Sequence, residues 1–133
     1  MSPFTDQNLS NVLIVEDDAA TSSILNIWLR DKCHILQACD GDEALNLISE
    51  LMKNNQEIDI FIFDISLPYP WTGITLKAEI IDRWNIYKAC PFIAETAFAM
   101  PHDQAQILRA GFIEYLTKPL DRTLLVKTVE KYL

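Results

Sequence analysis

The stretch Ile58-Asp-Ile-Phe-Ile-Phe-Asp64 holds four consecutive large apolar residues and ends on a carboxylate. A short run of β-branched and aromatic residues with no polar alternation reads as a strand buried on both faces, which belongs in a parallel sheet covered by helices. Similar runs lie on either side of it, at Val12 to Val15, Phe92 to Ala94 and Phe112 to Leu116. A weaker run, His34 to Ala38, reads as a fifth strand nearer an edge because it contains His34 and Gln37. Between the runs, apolar residues recur at helical spacing: Ile24, Leu25, Trp28 and Leu29, then Ala44, Leu45, Ile48, Leu51 and Met52, and finally Leu124, Leu125, Thr128 and Tyr132. Strand and helix alternate about five times, and parallel strands require such crossovers, so the pattern predicts an α/β, doubly wound sheet. Only Pro68 to Gly73 reads as a long irregular loop.

Composition bounds what such a domain does. The chain has 133 residues, half of them hydrophobic, which suits one domain with a single core. A net charge of -8 disfavours direct binding to nucleic acid or insertion at an anionic membrane, and favours a basic partner surface or a metal cation. Cys33, Cys39 and Cys90 are odd in number and form no Cys-x-x-Cys pair, so reduced thiols in a cytoplasm are expected. The polar start, residues 1–11, lacks the features of a leader peptide, and no apolar run has the length of a membrane span.

In open α/β sheets ligands bind beyond the carboxyl ends of the strands. Those ends carry Glu16, Asp17 and Asp18, then Asp64, Thr96 and Lys118. Carboxylates crowded at one edge need a positive partner, and an all-oxygen set suits Mg²⁺, which engages phosphate. Lysine and threonine are donors for phosphate oxygens, so the set fits phosphoryl transfer onto a carboxylate, with Asp64 as nucleophile. Each residue also has a plainer reading. Asp17 or Asp18 could cap a helix, Asp64 could be a turn residue, Lys118 a solvated loop lysine, and Thr96 an ordinary strand end. Their combination at four strand ends is what points to chemistry.

The pieces VLIVEDD (12–18), Ala38-x-Asp40-Gly41-x-Glu43-Ala44-Leu45, FDISLP (63–68), ETAFAM (95–100) and AGFIEYLTKPL (110–120) resemble the receiver domains of two-component response regulators, in order and spacing. The resemblance spans Val12 to Leu133 and implies a flavodoxin-like receiver fold: a five-stranded parallel sheet of order 2-1-3-4-5 flanked by five helices. It further implies a receiver domain over 12–133 after a polar N-terminal extension, 1–11. Its function would be that of a phosphoacceptor switch, taking a phosphoryl group from the histidine of a histidine kinase or phosphotransfer protein onto Asp64, and catalysing only its own phosphorylation and dephosphorylation. Asp17 and Asp64 would bind Mg²⁺ or Mn²⁺ directly with the Ser66 backbone carbonyl, and Glu16 through water. Thr96 and Lys118 would contact the phosphoryl group, Lys118-Pro119 would be cis, and Tyr115 would be the switch aromatic, reshaping the face of the fourth helix, fifth strand and fifth helix.

The sequence departs from the family pattern in one place. The family usually has glycine eight residues after the phosphorylated Asp, whereas Gly73 is nine after Asp64, so Tyr69-Pro70-Trp71-Thr72 holds an extra residue. Tyr69 and Trp71 are then either docking residues or side chains packed over the third helix. Ser66 and Phe98, two after Asp64 and two after Thr96, flank the path of an attacking water, and a bulky Phe98 is expected to prolong the phosphoryl state relative to Phe98→Glu. A phosphatase of the haloacid dehalogenase type needs Asp-x-Asp, but Ser66 stands at the second position. A dinucleotide fold needs a Gly-x-Gly-x-x-Gly that is absent. An unphosphorylated docking module usually lacks an acid or the lysine, and here all are kept. Both a stand-alone regulator and a receiver of a hybrid histidine kinase fit the sequence.

Overall fold

The structure, a computed structural model, describes residues 9–97 and 100–133. Phe98, and with it the expectation about phosphoryl lifetime, lies outside the described residues. Five strands, β1 (Asn11–Val15), β2 (His34–Ala38), β3 (Ile60–Asp64), β4 (Phe92–Thr96) and β5 (Glu114–Thr117), form one parallel sheet in the order β2-β1-β3-β4-β5. The helices are α1 (Ala19–Leu29), α2 (Gly41–Lys53), α3 (Gly73–Arg83), α4 (Pro101–Arg109) and α5 (Arg122–Glu130), with a short 3-10 helix at Asn85–Ala89. The weaker run, His34 to Ala38, is indeed an edge strand. The run beginning at Phe112 becomes a strand only at Glu114. Before it, Gly111 takes φ +93°, and the Phe112 amide bonds back to Ile107 at the end of α4.

The period-two geometry of the strands divides the interior into two cores. Leu13, Val15, Phe61, Phe63, Phe92 and Ala94 face the side covered by α2, α3 and α4, where Phe61 stacks on Phe92 at 4.2 Å and meets Tyr87 edge-on at 5.1 Å. Val12, Ile14, Ile60, Ile62, Ile93 and Leu116 face the other side, against Leu25 and Leu29 of α1 and Leu125 and Val129 of α5. Burying a large aliphatic or aromatic side chain contributes about 1.5–3 kcal/mol, and every residue of β3 is buried.

Local signals in the sequence set the helix starts. Asp18, Asp40, Thr72 and Asp121 are N-caps whose side chains accept the amides of Thr21, Glu43, Thr75 and Leu124. The extended loop before α3 is fixed at both ends. Gly73 donates its amide to Ile65 O at 3.0 Å, and a β-carbon there would fall 2.7 Å from Asp64 O. Trp71 packs on the start of α2, where a β-carbon on Gly41 would fall 2.3 Å from its Cδ1, and its indole N–H donates to Asp42 Oδ1 at 2.9 Å. Tyr69, by contrast, is 96% exposed and does not take the packed alternative.

Candidate functional site

Ile14, Ile62, Ile93 and Leu116 all face the α1/α5 core. Two residues after each come Glu16, Asp64, Glu95 and Lys118. Because side chains alternate along a strand, the same periodicity that buries the four apolar residues turns these four charged ones toward one pocket at the carboxyl edge. Lys118 Nζ bridges two of them, donating to Glu16 Oε1 at 2.7 Å and to Asp64 Oδ2 at 3.0 Å. The second oxygen of Asp64, Oδ1, accepts the Ser66 amide at 2.9 Å, so the turn reading of Asp64 and its role in the pocket hold together. The Lys118-Pro119 peptide is cis, as the family resemblance implies, and the Lys118 amide donates to Thr96 O at 2.8 Å.

The two acids at the head of α1 separate. Asp18 caps the helix, with Oδ2 accepting both the amide and hydroxyl of Thr21, and this partnership holds its carboxyl below the usual carboxylate range. Asp17 is not the cap; it is exposed, next to Glu16 in the chain, and lies outside the close cluster formed by the carboxylates of Glu16, Asp64 and Glu95. Thr96 is buried at the end of β4 and Ser66 is exposed in the loop after β3. Tyr115 is half-buried on β5, paired in register with Ala94 and packed against the aromatic core, on the side that alternation also assigns to Thr96.

Burial dominates the electrostatics. It pushes the Glu16 carboxyl up to about 7, aided by the neighbouring Asp64 and opposed by Lys118. Burial works against the Lys118 ammonium as well, but its hydrogen bonds to Glu16 and Asp64 outweigh that and raise its pKa. Sequence reasoning missed Glu95. It is 1% exposed, and burial followed by the nearby Glu16 charge pushes its carboxyl up to about 9. An acid inside the apolar run Phe-Ile-Ala-Glu-Thr was the available signal.

Glu16 Oε2 and both Glu95 carboxylate oxygens are buried without a hydrogen-bond partner, and ligand oxygens of Glu16, Asp64 and Glu95 lie within 4.8 Å of one another. Orphaned hard oxygen donors at this spacing fit a hard divalent cation. A second acidic group, Cys39, Asp40 and Glu43, is less enclosed, and the Cys39 thiol already meets Glu43 Oε2 at 2.9 Å.

Residues 12–130 match the family described as the response regulator receiver domain. An uncharacterized 14.6 kDa protein of Leptolyngbya boryana is 33% identical over 124 residues, covering 92% of this chain and 88% of that one. A hybrid signal transduction histidine kinase of Dictyostelium discoideum, histidine kinase G, is 32% identical over 91% of this chain, which spans only 3% of that protein. Among solved structures, the Vibrio cholerae chemotaxis protein CheY4 superposes with a TM-score of 0.81 at 25% identity, covering 94% of this chain and 99% of that one. The receiver domain of a Pseudomonas aeruginosa sensor histidine kinase, with a magnesium ion in its active-site cleft, gives 0.76 at 27% identity over 92% and 96% of the two chains. A Saccharomyces cerevisiae receiver domain solved with a histidine phosphotransfer protein gives 0.78 at 28% identity over 93% and 88%.

Proposed function

The chain belongs to the response regulator receiver family, and from that premise we propose that it is the phosphoacceptor switch of a two-component phosphorelay, with Asp64 as the phosphorylated residue. The observation that carries this reading is the convergence of Glu16, Asp64 and Lys118 from three strand ends, with the Lys118 ammonium between the two carboxylates.

In the proposed reaction an Asp64 carboxylate oxygen attacks phosphorus. The new P–O bond forms as the P–N bond to the donor's histidine breaks, and the leaving imidazole nitrogen takes the bond electrons and then a proton. The Ser66 amide holds Asp64 in one orientation, so little conformational freedom is lost on the way to an in-line geometry. Lys118, on a four-carbon stem, swings from Glu16 toward the developing phosphoryl charge, and the Thr96 hydroxyl donates to another phosphoryl oxygen. Asp17, Asp64 and the Ser66 carbonyl would hold Mg²⁺ or Mn²⁺, with Glu16 acting through water. When bound, the cation neutralises phosphoryl oxygens. The chain catalyses only its own phosphorylation and dephosphorylation.

Phosphorylation adds charge and acceptor oxygens beside Thr96. Thr96 and Tyr115 share the aromatic-core side of adjacent strands, so inward movement of the Thr96 hydroxyl opens space for the Tyr115 ring. The consequence is a population shift on the face formed by α4, β5 and α5, where an output partner would read it. The donor would be a histidine kinase or histidine phosphotransfer protein, in a cytoplasmic setting. Among the described residues no helix is long and apolar enough to cross a membrane. Incubation with acetyl phosphate and Mg²⁺, followed by phosphate-affinity electrophoresis, is expected to retard wild type and not Asp64→Asn. Identical mobility of the two would remove the phosphoacceptor role.

A further inference from the structure

Glu95 has no place in the reaction just described, yet it is built into the same pocket. It pairs in register with Asp64 on the adjacent strand, and both side chains emerge on the α1/α5 side of the sheet. The residue is 1% exposed, and its carboxylate receives no N–H donor and faces the Glu16 carboxylate instead. The Oε2 atom of Glu16, itself 2% exposed, is equally unpartnered. A buried acid facing other acids keeps its proton unless a cation is there to compensate the carboxylate. The Lys118 ammonium is already divided between Glu16 Oε1 and Asp64 Oδ2. When ionised, the carboxylates of Glu16, Asp64 and Glu95 outnumber the single ammonium, and the pocket is net negative, as a divalent-cation site requires.

We propose that Glu95 is a further acidic residue of the divalent-cation site, presenting its carboxylate to the cation alongside Glu16 and Asp64. The inference rests on the cleft being a cation site, and extends it beyond Asp17, Asp64 and the Ser66 carbonyl to a residue on β4. Glu95 thereby sets how tightly this receiver holds its cation, because it adds a hard oxygen donor and a charge in a water-poor position.

Mn²⁺ alone serves as the probe, its free concentration read from its EPR signal in titrations of the full chain, with apo melting temperature recorded in parallel. Glu95→Gln keeps the shape, and Glu95→Leu removes the polar group should the amide prevent folding. Wild type is expected to bind Mn²⁺, and the folded variant about tenfold or more weakly, the scale of losing a carboxylate partner at a metal site. Its apo melting temperature should be unchanged or higher. A folded variant that binds Mn²⁺ as wild type does overturns the proposal. Weaker binding together with a lower apo melting temperature also overturns it, since the role is then structural. Absence of Asp64 phosphorylation alongside a Glu95-dependent Mn²⁺ site would defeat the phosphoacceptor reading and leave this one standing.

Discussion

Asp17 and Asp18 are adjacent carboxylates with different work to do, and the difference lies in what each can reach. Asp18 accepts the Thr21 amide at 3.0 Å, so Asp18→Ala is expected to cost about 1 kcal/mol in urea unfolding, the usual loss of an N-cap. Asp17 makes no such cap, so Asp17→Asn should leave the unfolding midpoint nearly unchanged while weakening Mg²⁺ binding in the same preparations. The buried acids make a second prediction. Glu16 and Glu95 are pushed up from about 4.5 to about 7 and about 9. Between those limits the native chain holds more protons than the unfolded chain, so stability falls as pH rises. Melting temperature in EDTA should therefore decline from about pH 5 to about pH 9, with Glu95→Gln flattening the upper part of the decline. Lys118→Met leaves Glu16 and Asp64 facing each other without their ammonium, at a cost on the order of 3 kcal/mol at neutral pH, measurable by the same unfolding.

The strands were the legible elements, because Ile60 to Phe63 and Val12 to Val15 are continuous apolar runs whose burial does not depend on distant partners. The loop before α3 was not legible in the same way. Its extra residue is visible in the spacing from Asp64 to Gly73, but the place where Trp71 packs depends on Gly41, thirty residues earlier, and no local pattern carries that contact. An added β-carbon at Gly41 would sit 2.3 Å from the Trp71 ring, so Gly41→Ala should cost roughly 1–3 kcal/mol by overpacking. In a Trp71→Ala background the same substitution should cost much less, and a double-mutant cycle by urea unfolding measures that coupling. Glu95 escaped notice for a related reason. The apolar run Phe92 to Ala94 ends before the acid, whereas β4 continues through Thr96 and carries Glu95 inward.

Across the whole molecule, one sheet serves two purposes through the alternation of its strands. The side facing α1 and α5 delivers Glu16, Asp64, Glu95 and Lys118 to the pocket, while the other side carries the aromatic core, against which Tyr115 packs. In the proposed switch the acidic pocket and the Tyr115 readout lie on opposite faces of the same strands, with Thr96 at the end of β4 between them. The convergence of Glu16, Asp64 and Lys118 could be anticipated from the sequence because each follows an apolar run, and the sheet order then brings the runs side by side; Glu95 could not, because it lies inside its strand. Intact-mass spectrometry after incubation with acetyl phosphate and Mg²⁺ tests Asp64 as the phosphoacceptor most directly. Wild type should gain the mass of one phosphoryl group and Asp64→Asn none; an equal gain in Asp64→Asn, or no gain in wild type, would contradict the account.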